Sequence, residues 1–209
     1  PRGLAEPCSK GLEGGRLLNE NLTRLAQLAT VGIKYLTLTH NRNTSWADSA
    51  TDTPTHAGIT AFGLTVVDEC VRLGIGVDVS HSADAVVEQL LDRGIPLVAT
   101  HSGCRAILSH PRNLSDRLIL GIVASGGIIC VPFAKRFVGS LEGVRDHIEH
   151  IVQLTSSYAA VGIGSDLDGA VMVDGMTDVA DWCKIGHLLS LRGMSDVGIG
   201  DILGGNLLR

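Results

Sequence analysis

Ile75-Gly-Val-Asp-Val-Ser-His-Ser-Ala-Asp-Ala-Val-Val-Glu-Gln-Leu-Leu-Asp-Arg-Gly-Ile-Pro-Leu-Val-Ala-Thr-His101 decides the fold. It opens and closes on short β-favouring runs, 75–80 and 96–100, each bounded by Gly or Pro and each ending in a histidine, His81 and His101. Such runs read as buried parallel strands. Between them Ser82 and Asp84 are placed to cap a helix that reaches about Arg93, and Gly94 can terminate it before Pro96 opens the next strand. One strand and one crossover helix fill the interval, so the two histidines should end adjacent parallel strands. That end is where α/β folds build active sites.

The same period continues outward. Leu17 to Ala29 has helical apolar spacing, Tyr35 to Thr39 is a strand ending in His40, and Ile59 to Leu73 is helical again. Downstream come a helix over Leu114 to Ala124 with Ser115 as cap, a strand over Ile128 to Phe133 and a helix over Ser140 to Thr155. A Gly-rich strand, Ala159 to Ser165, then delivers Asp166 and Asp168, and helices follow near Asp181 to Arg192 and Ser195 to Leu203. Alternating strands and helices leave an open doubly wound sheet or a (β/α)8 barrel. Five strands are clear, and a barrel typically needs about 250 residues. The chain of 209 residues is therefore expected to be an open sheet or an incomplete barrel, in one domain.

Net charge is −5 with 17 scattered Lys and Arg, and aromatic residues make up only 3%. That pattern argues against nucleic acid and anionic membranes as partners and leaves small molecules. Cys8, Cys70, Cys104, Cys130 and Cys183 are odd in number and widely spaced, which indicates reduced, mostly core cysteines. The longest uncharged stretch, Leu118 to Ala134, is broken by Ser125-Gly126-Gly127 and Pro132, so no membrane segment is expected. No signal peptide is recognisable, and from this chain alone a cytoplasmic location is favoured.

Imidazole is a common zinc ligand, and converging strand ends can supply ligands distant in sequence. A lone strand-end histidine is usually bonded to backbone; three at equivalent positions, His40, His81 and His101, point to a metal centre. His56, His110, His147, His150 and His187 lack this placement and are assigned to loop or helix surfaces. Asp78 reads equally as a carboxylate supporting a ligand histidine and as a solvent-facing or turn-bonded one. Asp166 could shuttle protons to and from a metal-bound water, while Asp168 suits a helix cap. Arg112, in the loop after the strand of His101, could clamp a carboxylate bidentately.

Taken together, Leu12-Glu-Gly-Gly15, Tyr35 to His40 with Asn43 and Trp46-Ala-Asp48, Val77 to His81, Thr100-His-Ser102, Arg112-Asn113, Gly162 to Gly169 and Gly205 to Arg209 resemble the renal or membrane dipeptidases, peptidase family M19. The resemblance covers nearly everything from Glu13 onward. It implies an amidohydrolase-like (β/α)8 barrel and zinc-dependent hydrolysis of dipeptides by metal-bound hydroxide at a binuclear zinc centre. Glu13 would bridge the ions, His81 and His101 would ligate one of them, and His40 would contact the substrate carbonyl oxygen. Arg112 would hold the terminal carboxylate, and Asp166 would handle protons. Hydrolysis of other amide-like, lactone or β-lactam substrates shares the same metal logic.

The chain also departs from that pattern. The family's second zinc is held by a His-x-Asp motif on the first strand, and none occurs here; Arg16 stands where a His usually comes after Glu-Gly-Gly. Residues 1–12 are atypical, and Pro1 to Lys10 has poor strand character. The expectation is an incomplete barrel without its first strands, holding one zinc or none. A fragment of a longer enzyme that carries the activity, closure by a homodimer or strand exchange, and a truncated non-catalytic relative are the alternatives.

Overall fold

The computed structural model describes residues 10–208. Its strands are β1 (Lys10–Glu13), β2 (Ile33–Thr37), β3 (Gly76–Asp78), β4 (Leu97–Ala99), β5 (Ile128–Val131) and β6 (Val161–Ile163). The helices are α1 (Leu22–Thr30), α2 (Ala61–Leu73), α3 (Asp84–Asp92), α4 (Asp116–Ala124), α5 (Lys135–Val138), α6 (Leu141–Thr155), α7 (Cys183–Leu191) and α8 (Asp196–Ile202). All strand pairings are parallel and the sheet order is β1-β2-β3-β4-β5-β6. A doubly wound sheet reverses its order at a switch point; this one never does. The topology is the sequential winding of a (β/α) barrel, with six strands among the described residues where a closed barrel has eight.

Strands β2 to β6 place apolar side chains in the core. Leu36, Val77, Leu97, Ile129, Val131 and Val161 are all essentially inaccessible. They join one cluster with Val66, Val67, Leu90, Ile119, Ile122, Ile148 and Ile151 from the crossover helices. Burying each Leu, Ile or Val side chain contributes about 1.5–3 kcal/mol, which outweighs the weak propensity of such short strands. Thr60 and Ser140 cap α2 and α6 by accepting from the N–H groups of Gly63 and Gly143. Cys70, Cys104 and Cys130 are buried free thiols, in line with a reduced core; Cys8 lies outside the described residues. Among the described residues no helix is long and apolar enough to cross a membrane.

Four details differ from the sequence reading. First, residues 10–12 form a strand: they start β1, which pairs with β2 and brings Glu13 opposite Thr37. Pairing supplies what local propensity lacks, while residues 1–9 fall outside the description. Second, the helix expected over 17–29 is broken. Asn19 and Glu20 both take positive φ, 48° and 55°, so a 3-10 turn over Gly15–Leu18 ends there and Asn21 caps α1 afresh.

Third, neither Ser82 nor Asp84 caps α3. Ala83 occupies the cap, Ser82 bridges to Ser49, and Asp84 is paired with Arg105 at 2.6 and 2.8 Å. Fourth, His147 is not on a surface. It is fully buried in α6, and its Nδ1 accepts from the N–H of Cys104 at 2.7 Å. The helical face was legible, but the loop that folds onto it was not.

Candidate metal and substrate site

Glu13 owes its position to the two glycines after it. The chain turns at Gly14 (φ 93°), and Gly15 lies so close to the buried Trp46 that a Cβ there would sit 2.3 Å from the indole. Both glycines are bound back to β2 and its extension, Gly14 N–H to the Thr37 carbonyl and Gly15 N–H to that of Leu38. The Glu-Gly-Gly segment thus turns sharply at the strand end and leaves the carboxylate over the mouth of the sheet.

Three histidines meet it there. Glu13 Oε1 lies 3.0 Å from His81 Nε2, 3.3 Å from His101 Nε2 and 3.9 Å from His40 Nε2. The ring centroids of His40 and His81 are 4.5 Å apart, and those of His81 and His101 5.0 Å. His81 and His101 are buried, whereas His40 is exposed on the rim. His81 comes after β3 with φ 70°, a left-handed conformation uncommon for a residue with a Cβ and often held in place at functional sites.

The electrostatics fit a cation between these groups. Proximity to His101 and then His81 holds the Glu13 carboxyl far below the usual range, against the opposing effect of burial. Burial, only partly opposed by Glu13, pulls His81 down to about 4, so it is neutral at pH 7 and able to ligate. His101 Nε2 is buried and makes no hydrogen bond of acceptable geometry, although Glu13 is near. An orphaned buried imidazole nitrogen beside a carboxylate, with a second imidazole, is a donor set of the kind zinc takes. Among the described residues the one group whose ligand atoms satisfy the spacing for a shared ion is Glu13, His40 and His81. His40 therefore stands closer to the cluster than its expected role as a substrate contact requires.

Arg112 lies in the loop between β4 and α4, only 4% exposed. Its Nη2 donates to the His101 carbonyl at 3.4 Å, its Cζ sits 5.2 Å from the ring centroid of Phe137, and its Nε has no partner. Burial pulls its pKa down to about 10, opposed by Asp78, Asp166 and Glu13. A buried guanidinium with a free N–H awaits an acceptor. Phe137 comes from the short helix α5, which the sequence pattern did not reveal. Asn113 braces the loop, donating to the Leu108 and Phe137 carbonyls and accepting from Gly103 N–H.

Asp166 leaves β6 with φ 59°, and Gly169 comes so close that a Cβ there would meet its Oδ1 at 2.0 Å. Burial raises its pKa, with His101 and Arg112 opposing. It lines an open cavity of about 700 Å³ together with Glu13, Thr37, Thr100, His101 and Trp182. Asp78 is fully buried and bonded inward rather than facing solvent. The long loop after His40 is also self-bonded: Asp48 accepts from the N–H groups of Thr55, His56 and Gly58, and Ser49 Oγ donates to the His40 carbonyl at 2.6 Å.

Residues 7–209 match the model of the membrane dipeptidases, peptidase family M19. An uncharacterized dipeptidase of Schizosaccharomyces pombe is 34% identical over 208 residues, covering 95% of this chain and 51% of the relative. Dipeptidase verJ of Clonostachys rogersoniana is 34% identical over 206 residues, 95% of this chain and 53% of the relative. The chain thus spans about half the length of the curated relatives it matches. Among solved structures, a metallopeptidase from Rhodobacter sphaeroides liganded with a phosphinate mimic of L-Ala-D-Ala superposes with a TM-score of 0.87 at 27% identity. That match covers 95% of this chain and 61% of the bacterial one.

Proposed function

Because the chain belongs to the membrane dipeptidase family, peptidase family M19, we propose that its histidine and carboxylate cluster serves zinc-dependent hydrolysis of dipeptides. One observation carries this reading: Glu13 Oε1 is within 3.3 Å of Nε2 of both His81 and His101, and the buried Arg112 leans on the His101 backbone. Glu13, His81 and His101 would hold zinc, which when bound supplies Lewis acidity and an activated water.

The remaining roles come from position. His40, exposed at the rim, donates to the scissile carbonyl oxygen as negative charge develops there. Arg112 binds the terminal carboxylate through the N–H that now lacks a partner, which selects short substrates with a free C-terminus. Asp166, lining the same cavity as Glu13 and His101, would take the proton given up by the attacking water and pass it to the departing amine.

A second reading has its own support. Among the described residues one group, Glu13, His40 and His81, has the spacing to share an ion, which matches a chain that binds one zinc without hydrolysis. Assay of the chain against L-Ala-D-Ala and other dipeptides, with zinc and after chelation, separates the two. Turnover lost on chelation and regained with zinc supports the first reading; one bound zinc with no turnover supports the second.

A further inference from the structure

Behind His101 lies a run of hydrogen bonds whose polarity can be read. Asp78, in β3 and fully buried, accepts four times. Its Oδ1 takes the N–H groups of Ser80 (2.9 Å) and Thr100 (3.0 Å); its Oδ2 takes the hydroxyls of Thr37 (2.5 Å) and Thr100 (2.7 Å). Four donors converging on two oxygens suit a carboxylate, which only accepts. Thr100 has one hydroxyl proton and gives it to Asp78. Its oxygen also lies 2.9 Å from His101 Nδ1 and 3.3 Å from Ser80 Oγ, whose own hydroxyl proton is free to donate to it. With its proton committed to Asp78, the Thr100 hydroxyl can only accept from the ring, so Nδ1 carries the hydrogen, and in the neutral ring Nε2 keeps the lone pair that a metal would take. Nε2 is the buried nitrogen without a hydrogen bond, facing Glu13.

We propose that Asp78 and Thr100 are positioning residues that lock His101 in its Nδ1–H tautomer and so present Nε2 as a ready metal ligand. The inference deepens the metal-site reading above and rests on it for its purpose, but the tautomer itself is testable without metal. The same carboxylate spans β2, β3 and β4 through Thr37 and Thr100, so one buried group fixes both the strand ends and the ring they carry. Ser80 Oγ completes the frame by accepting from the His101 N–H at 3.0 Å.

Polarity gives a test that packing alone does not. In Asp78→Asn the amide nitrogen can donate to the Thr100 hydroxyl, which is then free to donate to His101 Nδ1 at 2.9 Å in preference to the longer 3.3 Å contact with Ser80 Oγ, and the ring should switch to Nε2–H. Long-range proton–nitrogen correlation spectra of histidine-labelled, metal-free protein at about pH 8, above the ordinary imidazole pKa, read the tautomer directly. The parent and Thr100→Ser should show Nδ1–H, Asp78→Asn should show Nε2–H, and Thr100→Val should lose the uniform Nδ1–H form. Competition with a chromophoric chelator should give zinc affinity about 10–100-fold weaker in Asp78→Asn and Thr100→Val, with Thr100→Ser close to the parent.

An Nε2–H ring in the parent, or an Nδ1–H ring retained in both Asp78→Asn and Thr100→Val, overturns the inference. If the parent takes up no zinc, the functional reading fails while the tautomer result still decides this one. Should Thr100→Val not fold, Asp78→Asn and Thr100→Ser carry the test.

Discussion

Glu13 Oε1, at the end of β1, lies 3.0 Å from Nε2 of His81, at the end of β3. The contact crosses over β2 and depends on Glu13 being turned inward by the two glycines after it. Gly15 touches Trp46 so closely that any side chain must displace the indole or the strand end. Gly15→Ala is therefore expected to cost about 1–3 kcal/mol, read as a lower midpoint in urea, and to weaken zinc binding as Glu13 shifts. Parent-like stability and affinity together would show that the strand end is not held this way.

His40 is within reach of the cluster yet exposed on its rim. If it acts on the substrate, His40→Asn lowers kcat by about 10²–10³-fold and leaves zinc affinity nearly unchanged. A matching fall in zinc affinity would make it a ligand instead, and metal titration alongside the kinetics tells the two apart.

Arg112 is a buried cation whose Nε lacks a partner. Arg112→Met should therefore keep or raise the thermal midpoint, since an apolar chain of similar length suits the pocket beside Phe137. The same change should lower kcat/KM for dipeptides with a free carboxylate by roughly 100-fold, about 3 kcal/mol. Amide-blocked substrates should be affected little. Equal losses for both substrate types would remove Arg112 from carboxylate recognition.

His147 sets a pH limit on the fold. Burial lowers its pKa from the ordinary 6.5 to about 4, so the unfolded chain binds the proton first as pH falls. Its contribution is intact above about 6.5 and is lost progressively down to about 4, on the order of 3 kcal/mol in all. Urea midpoints measured across that range should fall steeply in the parent and less steeply in His147→Gln. Parallel slopes would assign the acid sensitivity to other groups.

Much of this was legible in the sequence because the information is local. Apolar runs closed by His40, His81 and His101 mark strand ends, and the spacing of the last two is that of one crossover. What was not legible depends on partners distant in the chain. Lys10 to Glu13 has little strand character alone and becomes a strand only against β2. His147 looks like any helical histidine until the loop at Cys104 closes over it. The roles of Asp78 and Thr100 rest on hydrogen bonds across three strands, which periodicity does not encode. Arg112 was visible as a cation near the site, but its support by Phe137 required α5, too short to leave a pattern.

We propose that Glu13, His81 and His101 gather one metal ion. Crystals grown with zinc, measured on both sides of the zinc absorption edge, test it most directly. An anomalous peak at about 2.0–2.2 Å from a Glu13 carboxylate oxygen and from Nε2 of both histidines is the predicted result. Zinc bound elsewhere on the chain, or no peak among these three side chains at saturating zinc, would contradict it.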